Sequence, residues 1–173
     1  MGFMDSLKGV ARAKEGAIPL PKAVLAKKLI DLNQDQLPFR IETGGDIDLV
    51  AEWKIVDATW YEIFAKAKLD KTHKIWLSLN ENEKAVKALE ESFSVKWKAG
   101  IPNISMQAEK FQGRTIGNKS FGIGYAFKGV DPLSYGQVYN YRFDVSEMKN
   151  PLIEIITSAG WDFVPVLSKK KLF

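Results

Sequence analysis

The chain has 173 residues, the length of one compact domain, and its content of 46% hydrophobic and 12% aromatic residues excludes collagen-like, low-complexity and wholly disordered proteins. It contains no cysteine and a single histidine, His73, which excludes disulfides and thiolate nucleophiles and disfavours histidine-rich metal sites and serine–histidine relays. The net charge of +4 is mild, so no nucleic-acid partner is expected.

Two short helices are predicted at the start of the chain. Apolar residues at helical spacing indicate a first helix over Gly2–Gly16 and a second over about Lys22–Leu32. The stripes consist of Phe3, Met4, Leu7 and Val10 in the first helix and of Leu25, Leu29 and Leu32 in the second. Because an isolated short helix cannot bury its stripe, we interpret residues 1–37 as an N-terminal helical arm and residues 38–173 as a single antiparallel α+β domain.

The arm offers two kinds of contact. Gly2 and Ser6 fit the pattern of an N-myristoylation signal and basic residues follow them, so contact with a membrane is one interpretation. The commoner arrangement is docking of the arm on its own domain or on a second protein chain, including a copy of itself. Residues 1–10 lack the apolar core of a secretory signal, and no apolar run is long enough to span a membrane, so the chain is expected to be cytoplasmic.

From Phe39 the hydrophobic period changes from helical to two, which is typical of strands that bury one face. The segments Phe39–Thr43 and Ile47–Trp53 form a predicted hairpin, because the Gly-Gly pair between them can supply the positive φ of a tight turn. A helix is predicted next, with one face formed by Trp60, Ile63, Phe64 and Ala67.

Alternating segments then predict a run of further strands. They are Ile75–Leu79, Val86–Trp97, Ile104–Ala108, Phe121–Phe127 and Tyr139–Val145. A C-terminal helix should follow, capped by Asn150, begun by Pro151 and ended by Gly160, and the glycine face at Gly122 and Gly124 would let it approach closely. Trp161–Val164 is expected to form a terminal strand or pad, and Lys169–Lys171 a solvated tail.

This order of elements predicts an α+β fold with a single large curved antiparallel sheet or open barrel and packed helices. It resembles the helix-grip architecture of START-like lipid-binding domains, in which a curved sheet wraps a long helix around an apolar cavity. It also resembles tubby-like domains, in which a barrel surrounds a hydrophobic C-terminal helix. Both resemblances concern the order of elements alone, so no site residue is carried over.

Titratable residues offer few candidates for chemistry. Asp46 and Asp48 share one face of a strand and could hold a hard cation such as Mg²⁺ or act as an acid–base pair, although charges that protect a sheet edge are commoner. His73 is expected at the surface. Solvated turns are expected to hold Glu81, Glu83, Glu90 and Glu91. We therefore assign no catalytic residue and expect no cofactor.

Aromatic residues are the remaining feature. The candidates for lining a binding pocket are Trp53, Trp76, Trp97, Tyr139 and Tyr141. Dense aromatic residues beside few catalytic groups favour a non-enzymatic binding domain that holds an apolar small molecule, a lipid or a partner segment against the curved sheet. Two alternatives stay open: a carboxylate- or metal-dependent hydrolase built on Asp46 and Asp48, and a structural protein that assembles through the N-terminal arm.

Overall fold

A computed structural model of the chain describes residues 8–35, 37–54, 71–98, 101–104, 120–124, 139–143 and 145–173. For residues 97–98, 101–104, 120–124 and 139–143 it describes the backbone alone. Outside these ranges lie the lipidation pattern at Gly2 and Ser6, the apolar stripe up to Leu7, the helix predicted around Trp60 and the residues predicted as strand at 105–108 and 125–127.

Strands are the most numerous elements of the described chain. The antiparallel order begins with β1 (Phe39–Gly44), β2 (Ile47–Trp53), β3 (Lys71–Asn80) and β4 (Ala85–Lys98). The end of β4 pairs with β5 (Ile101–Ile104), and a separate two-stranded sheet consists of β6 (Ser120–Gly124) and β7 (Tyr139–Phe143). The start of β4 pairs in parallel with β8 (Asp162–Pro165).

The main sheet is therefore mixed: its strands pair antiparallel as predicted, except for β8, which pairs in parallel with β4 and corrects the prediction at that edge. Parallel neighbours need a long crossover connection, which a helix usually supplies. Here the helix α2 (Val145–Ser158) stands directly before β8 and carries the chain back across the sheet. The described strands do not close into a barrel, so the tubby-like arrangement is not what they form.

The first hairpin and the central strand confirm the sequence pattern. β1 and β2 pair around a turn in which Gly45 has a φ of 72°, the left-handed conformation that glycine adopts without strain. In β3 the alternating residues Ile75, Leu77 and Leu79 are all buried. Alternation of apolar residues therefore identified the sheet face that forms the core.

Two helices cover that face. The helix α1 (Lys22–Ile30) confirms the second predicted helix, and it buries Leu25 and Leu29 in the same cluster as the sheet. α2 adds Leu152 and Ile156 to this cluster. Neither of these, nor any other helix within the described ranges, combines the length and the apolar content that crossing a membrane requires.

The start of α2 corrects the prediction of a helix capped by Asn150. The helix begins at Val145 and contains Pro151 in its interior. An interior proline costs roughly 3 kcal/mol, because it cannot donate the backbone hydrogen bond of its turn. Burial of Val145 and Met148, which are 1% and 0% exposed, contributes about 1.5–3 kcal/mol each and offsets that cost.

The first predicted helix does not extend to Gly16. Within its described part only Lys8 is helical, and the chain is extended at Ala11. Ala11 forms an antiparallel bridge with Phe163, with backbone N–H to carbonyl distances of 2.9 and 2.7 Å. A helix at this position would lose both hydrogen bonds, so pairing with β8 overrides the helical pattern.

Candidate functional site

An open groove lies between the C-terminal ends of α1 and α2. Its volume of about 580 Å³ falls within the range of small-molecule sites, roughly 300–1,000 Å³. Its apolar lining consists of Ile18, Leu20, Leu32, Ile155 and Ala159. Its polar lining consists of Lys28, Asp31, Glu154 and Ser158.

The wall that precedes α1 is fixed by the end of α2. The Leu20 N–H donates to the carbonyl of Ala159 at 3.0 Å, and the Leu20 carbonyl accepts the indole N–H of Trp161 at 2.8 Å. Gly160 has a φ of 76°, and a Cβ there would lie 2.6 Å from the backbone nitrogen of Pro19. Only glycine permits this approach, so the core holds the wall in place without help from a ligand.

The other two walls are the helix surfaces that remain after the core is packed. Leu25 and Leu29 of α1 are fully buried, whereas Leu32, just beyond the helix, is partly exposed. On α2, Ile156 is fully buried and Ile155 is partly exposed. Leu32 and Ile155 both pack against the core cluster and leave part of their surface at the groove.

Ile18 is the most exposed large apolar side chain in the described part of the chain, at 82%. An isoleucine left in water forgoes about 1.5–3 kcal/mol of burial. Because it lies beside other apolar lining residues, it extends an apolar surface that a ligand could cover.

Glu154 at the rim is neutralised by its own surroundings. Its carboxylate pairs with the Lys14 ammonium and also accepts a hydrogen bond from the Ser158 hydroxyl at 3.2 Å. The hydrogen bond from Lys14, the charge of Lys14 and the bond from Ser158 lower the pKa of Glu154. At neutral pH this side chain therefore contributes a compensated charge to the groove.

The charges on α1 are compensated unequally. Asp31 pairs with the ammonium of Lys27 at 2.7 Å, one helical turn away. Lys28 lines the groove and is exposed, and its ammonium forms neither an ion pair nor a hydrogen bond with the described residues. The uncompensated charge of the lining is therefore positive.

Trp53, one of the aromatic candidates, is part of the core. It is 3% exposed, and its ring packs edge-on against Phe39 with centroids 6.3 Å apart. It is therefore not accessible to a ligand. For Trp97, Tyr139 and Tyr141 the backbone places the residues on β4 and β7, and their side chains lie outside the description.

Trp76 lies on the sheet face opposite the two helices and is occupied by neighbours. Its indole N–H donates to Glu91 at 2.8 Å, and the ammonium groups of Lys74 and Lys169 lie 5.9 and 5.8 Å from its ring centroid. Glu91 therefore lies in β4 as a hydrogen-bond acceptor, and the prediction that it sits in a solvated turn is wrong.

The segment that carries Lys169 also differs from the prediction of a solvated tail. Residues Lys169–Lys171 form a 3-10 helix, and Leu172 after it is 1% exposed. Burial of this leucine and the cation–π contact with Trp76 hold the segment against the fold.

Asp46 and Asp48 do not form a metal site with other described residues. Asp46 is exposed in the hairpin turn. Asp48 accepts the Leu79 N–H at 2.7 Å with one oxygen and pairs with Lys22 at 2.7 Å with the other. Within the described residues, no three His, Asp or Glu side chains come together in a group that could hold a metal ion.

Sequence reasoning missed a buried polar cluster, which we define as His73, Ser92, Glu90 and Lys149. His73 is 3% exposed, and its Nδ1 lies 3.0 Å from the Ser92 hydroxyl directly across the sheet. Glu90 is 6% exposed in β4. Both placements contradict the expected surface positions. The alternation of faces along β4 could have predicted the burial of Glu90, because every second residue before it, Val86 and Ala88, lies on the core face.

Within the cluster, one oxygen of Glu90 pairs with the Lys149 ammonium, which α2 supplies from above the sheet. The other oxygen, Oε2, is buried and accepts no hydrogen bond from any residue that the structure describes. The ion pair is thus buried in the core, and only one of the two carboxylate oxygens of Glu90 is paired.

Comparison of the chain with protein-family models, with curated proteins and with solved structures finds no match.

Proposed function

We propose that the protein is a non-enzymatic binding domain that holds an apolar small molecule in the groove between α1 and α2. The observation that carries this proposal is the exposed Ile18 beside a groove of about 580 Å³ with four further apolar lining residues. The fixed wall at Leu20 supports it, since a pre-formed site spends less binding energy on ordering. The site lies between helices, away from the sheet face that the sequence favoured.

The hydrolase alternative has less support. Both oxygens of Asp48 have partners, and Asp46 lies exposed in a turn. Assembly through the arm also has less support, because the second arm helix uses Leu25 and Leu29 to pack against its own sheet. The resemblance to helix-grip domains is part of this proposal. The packing of α2 on one face of the sheet supports it.

Binding of N-phenyl-1-naphthylamine, a neutral apolar fluorophore, tests the proposal. We expect a saturable fluorescence increase with the wild-type protein. Ile18→Asp should weaken binding about tenfold, because a carboxylate at the groove would lose hydration beside an apolar ligand. Ile18 is 82% exposed, so this variant should fold normally.

Val24→Asp is the matched control. Val24 is an apolar residue of α1 that is 42% exposed and does not line the groove, so its substitution should leave fluorophore binding unchanged. Absence of saturable binding, or equal loss in both variants, would contradict the proposal. Native mass spectrometry of freshly purified protein adds a second test, since a stable oligomer without bound small molecule would favour assembly instead.

A further inference from the structure

We infer that the ligand of the groove is an amphiphile with one anionic group, such as a long-chain carboxylate, whose charge is bound by Lys28. This inference rests on the proposed function and adds the chemical class of the ligand. It depends on the charge balance of the groove and on the position of its apolar walls.

Counted together with the lysine partners of its two carboxylates, the groove has one excess positive charge. Of the three charged side chains in the lining, Asp31 is paired with Lys27 and Glu154 is paired with Lys14. Lys28 lines the same groove and has no partner among the described residues. A neutral ligand would leave this ammonium uncompensated, whereas an anion would form an ion pair with it.

The lining offers a partner to each part of such a ligand. Lys28 belongs to the last turns of α1, and the apolar residues Ile18 and Leu20 before that helix and Ile155 on α2 line the same groove. An alkyl chain can lie against the apolar walls while its head group stays at the solvent-exposed end of the lysine. A cationic amphiphile would meet Lys28 with a like charge and should bind more weakly for the same reason.

Three amphiphiles with the same chain test the inference. Dodecanoate, 1-dodecanol and dodecyltrimethylammonium, each used below its micelle-forming concentration, are titrated against the N-phenyl-1-naphthylamine complex. We expect dodecanoate to displace the fluorophore at the lowest concentration and the cationic amphiphile at the highest. Lys28→Met should weaken dodecanoate about fivefold, as expected for an exposed ion pair, and leave dodecanol unchanged.

Lys170→Met is the matched control, because it removes the same charge from an exposed lysine that does not line the groove. Dodecanoate affinity should stay at the wild-type value in this variant. Equal binding of dodecanoate and dodecanol, or equal loss of dodecanoate affinity in both lysine variants, would overturn the role of Lys28 and leave the groove as a site for neutral ligands. Failure of every amphiphile to displace a bound fluorophore would overturn the inference about the ligand and leave the proposed function standing, whereas absence of saturable fluorophore binding would overturn the proposed function itself.

Discussion

The two ends of α2 meet opposite environments. At its C-terminal end the helix borders the groove, where Glu154 is exposed and paired at the rim. In its first half, Lys149 reaches down to the buried Glu90. The same helix thus leaves apolar surface in water at one end and places charge in the core at the other, the reverse of ordinary partitioning in both cases.

This contrast separates stability from binding. A buried ion pair is costly to break, because removing one partner leaves the other charge without water or a counterion. A paired charge at an exposed rim contributes little, since water and salt screen it. We therefore expect substitutions at the buried polar cluster to change unfolding and substitutions at the groove to change ligand affinity.

The largest expected effect is that of Lys149→Met. The substitution leaves the Glu90 carboxylate buried and unpaired, and should lower the free energy of unfolding by about 3 kcal/mol in urea denaturation. Adding Glu90→Leu to this variant should restore stability to within about 1 kcal/mol of the wild type, because an apolar pair replaces the ion pair. A single variant as stable as the wild type would show that this end of α2 is hydrated in solution.

An intermediate effect is expected for Ser92→Ala. It removes the hydroxyl that bonds the buried His73, and should cost about 1 kcal/mol of unfolding free energy. Ser94→Ala on the same strand face is the control, with an expected change within about 0.5 kcal/mol, since Ser94 is only partly buried. Equal losses of unfolding free energy in the two serine variants would show that the hydrogen bond between Ser92 and His73 does not stabilise the cluster.

The smallest effect is expected at the groove rim. The Lys14 hydrogen bond lowers the pKa of Glu154, so Lys14→Met should raise that pKa toward its ordinary value, as measured by carboxyl NMR titration. Because the folded-state pKa is lowered, any stability from Glu154 is present above its unfolded pKa and is lost as the pH falls through the folded one.

Two outcomes at the rim would be informative. The urea midpoint of Lys14→Met at neutral pH should match that of the wild type, because both partners are solvent-exposed. An unchanged Glu154 titration would show that the Lys14 pair does not persist in solution. In that case the groove would carry an uncompensated carboxylate, and its preference for an anionic ligand would weaken.

The spacing of apolar residues predicted those elements whose buried residues recur at a regular period. The alternation of Ile75, Leu77 and Leu79 identified a core strand, and the spacing of Leu25 and Leu29 identified α1. These apolar residues are buried as their spacing alone indicates, so no knowledge of distant partners was needed to place them.

Features that depend on distant partners could not be predicted in this way. Alternation along β4 could place Glu90 on the core face, but its ion-pair partner Lys149 comes from α2, and the extended conformation of Ala11 depends on Phe163. The groove has the same character, since its walls come from three separate segments that only the folded chain brings together. In the sequence its apolar residues lie between the two predicted arm helices or within a helical pattern, and neither position marks them as part of a binding site.

The pairing of Ala11 with β8 also sets an order of events during synthesis. Phe163 is fully buried, and the neighbouring contact between Arg12 and Asp162 joins residues 150 positions apart. During synthesis, Ala11 leaves the ribosome long before β8 has been made. Until then its backbone cannot form the two hydrogen bonds with Phe163. The core then closes in a late step, when Trp161 and Phe163 arrive and fix the wall of the groove at the same time.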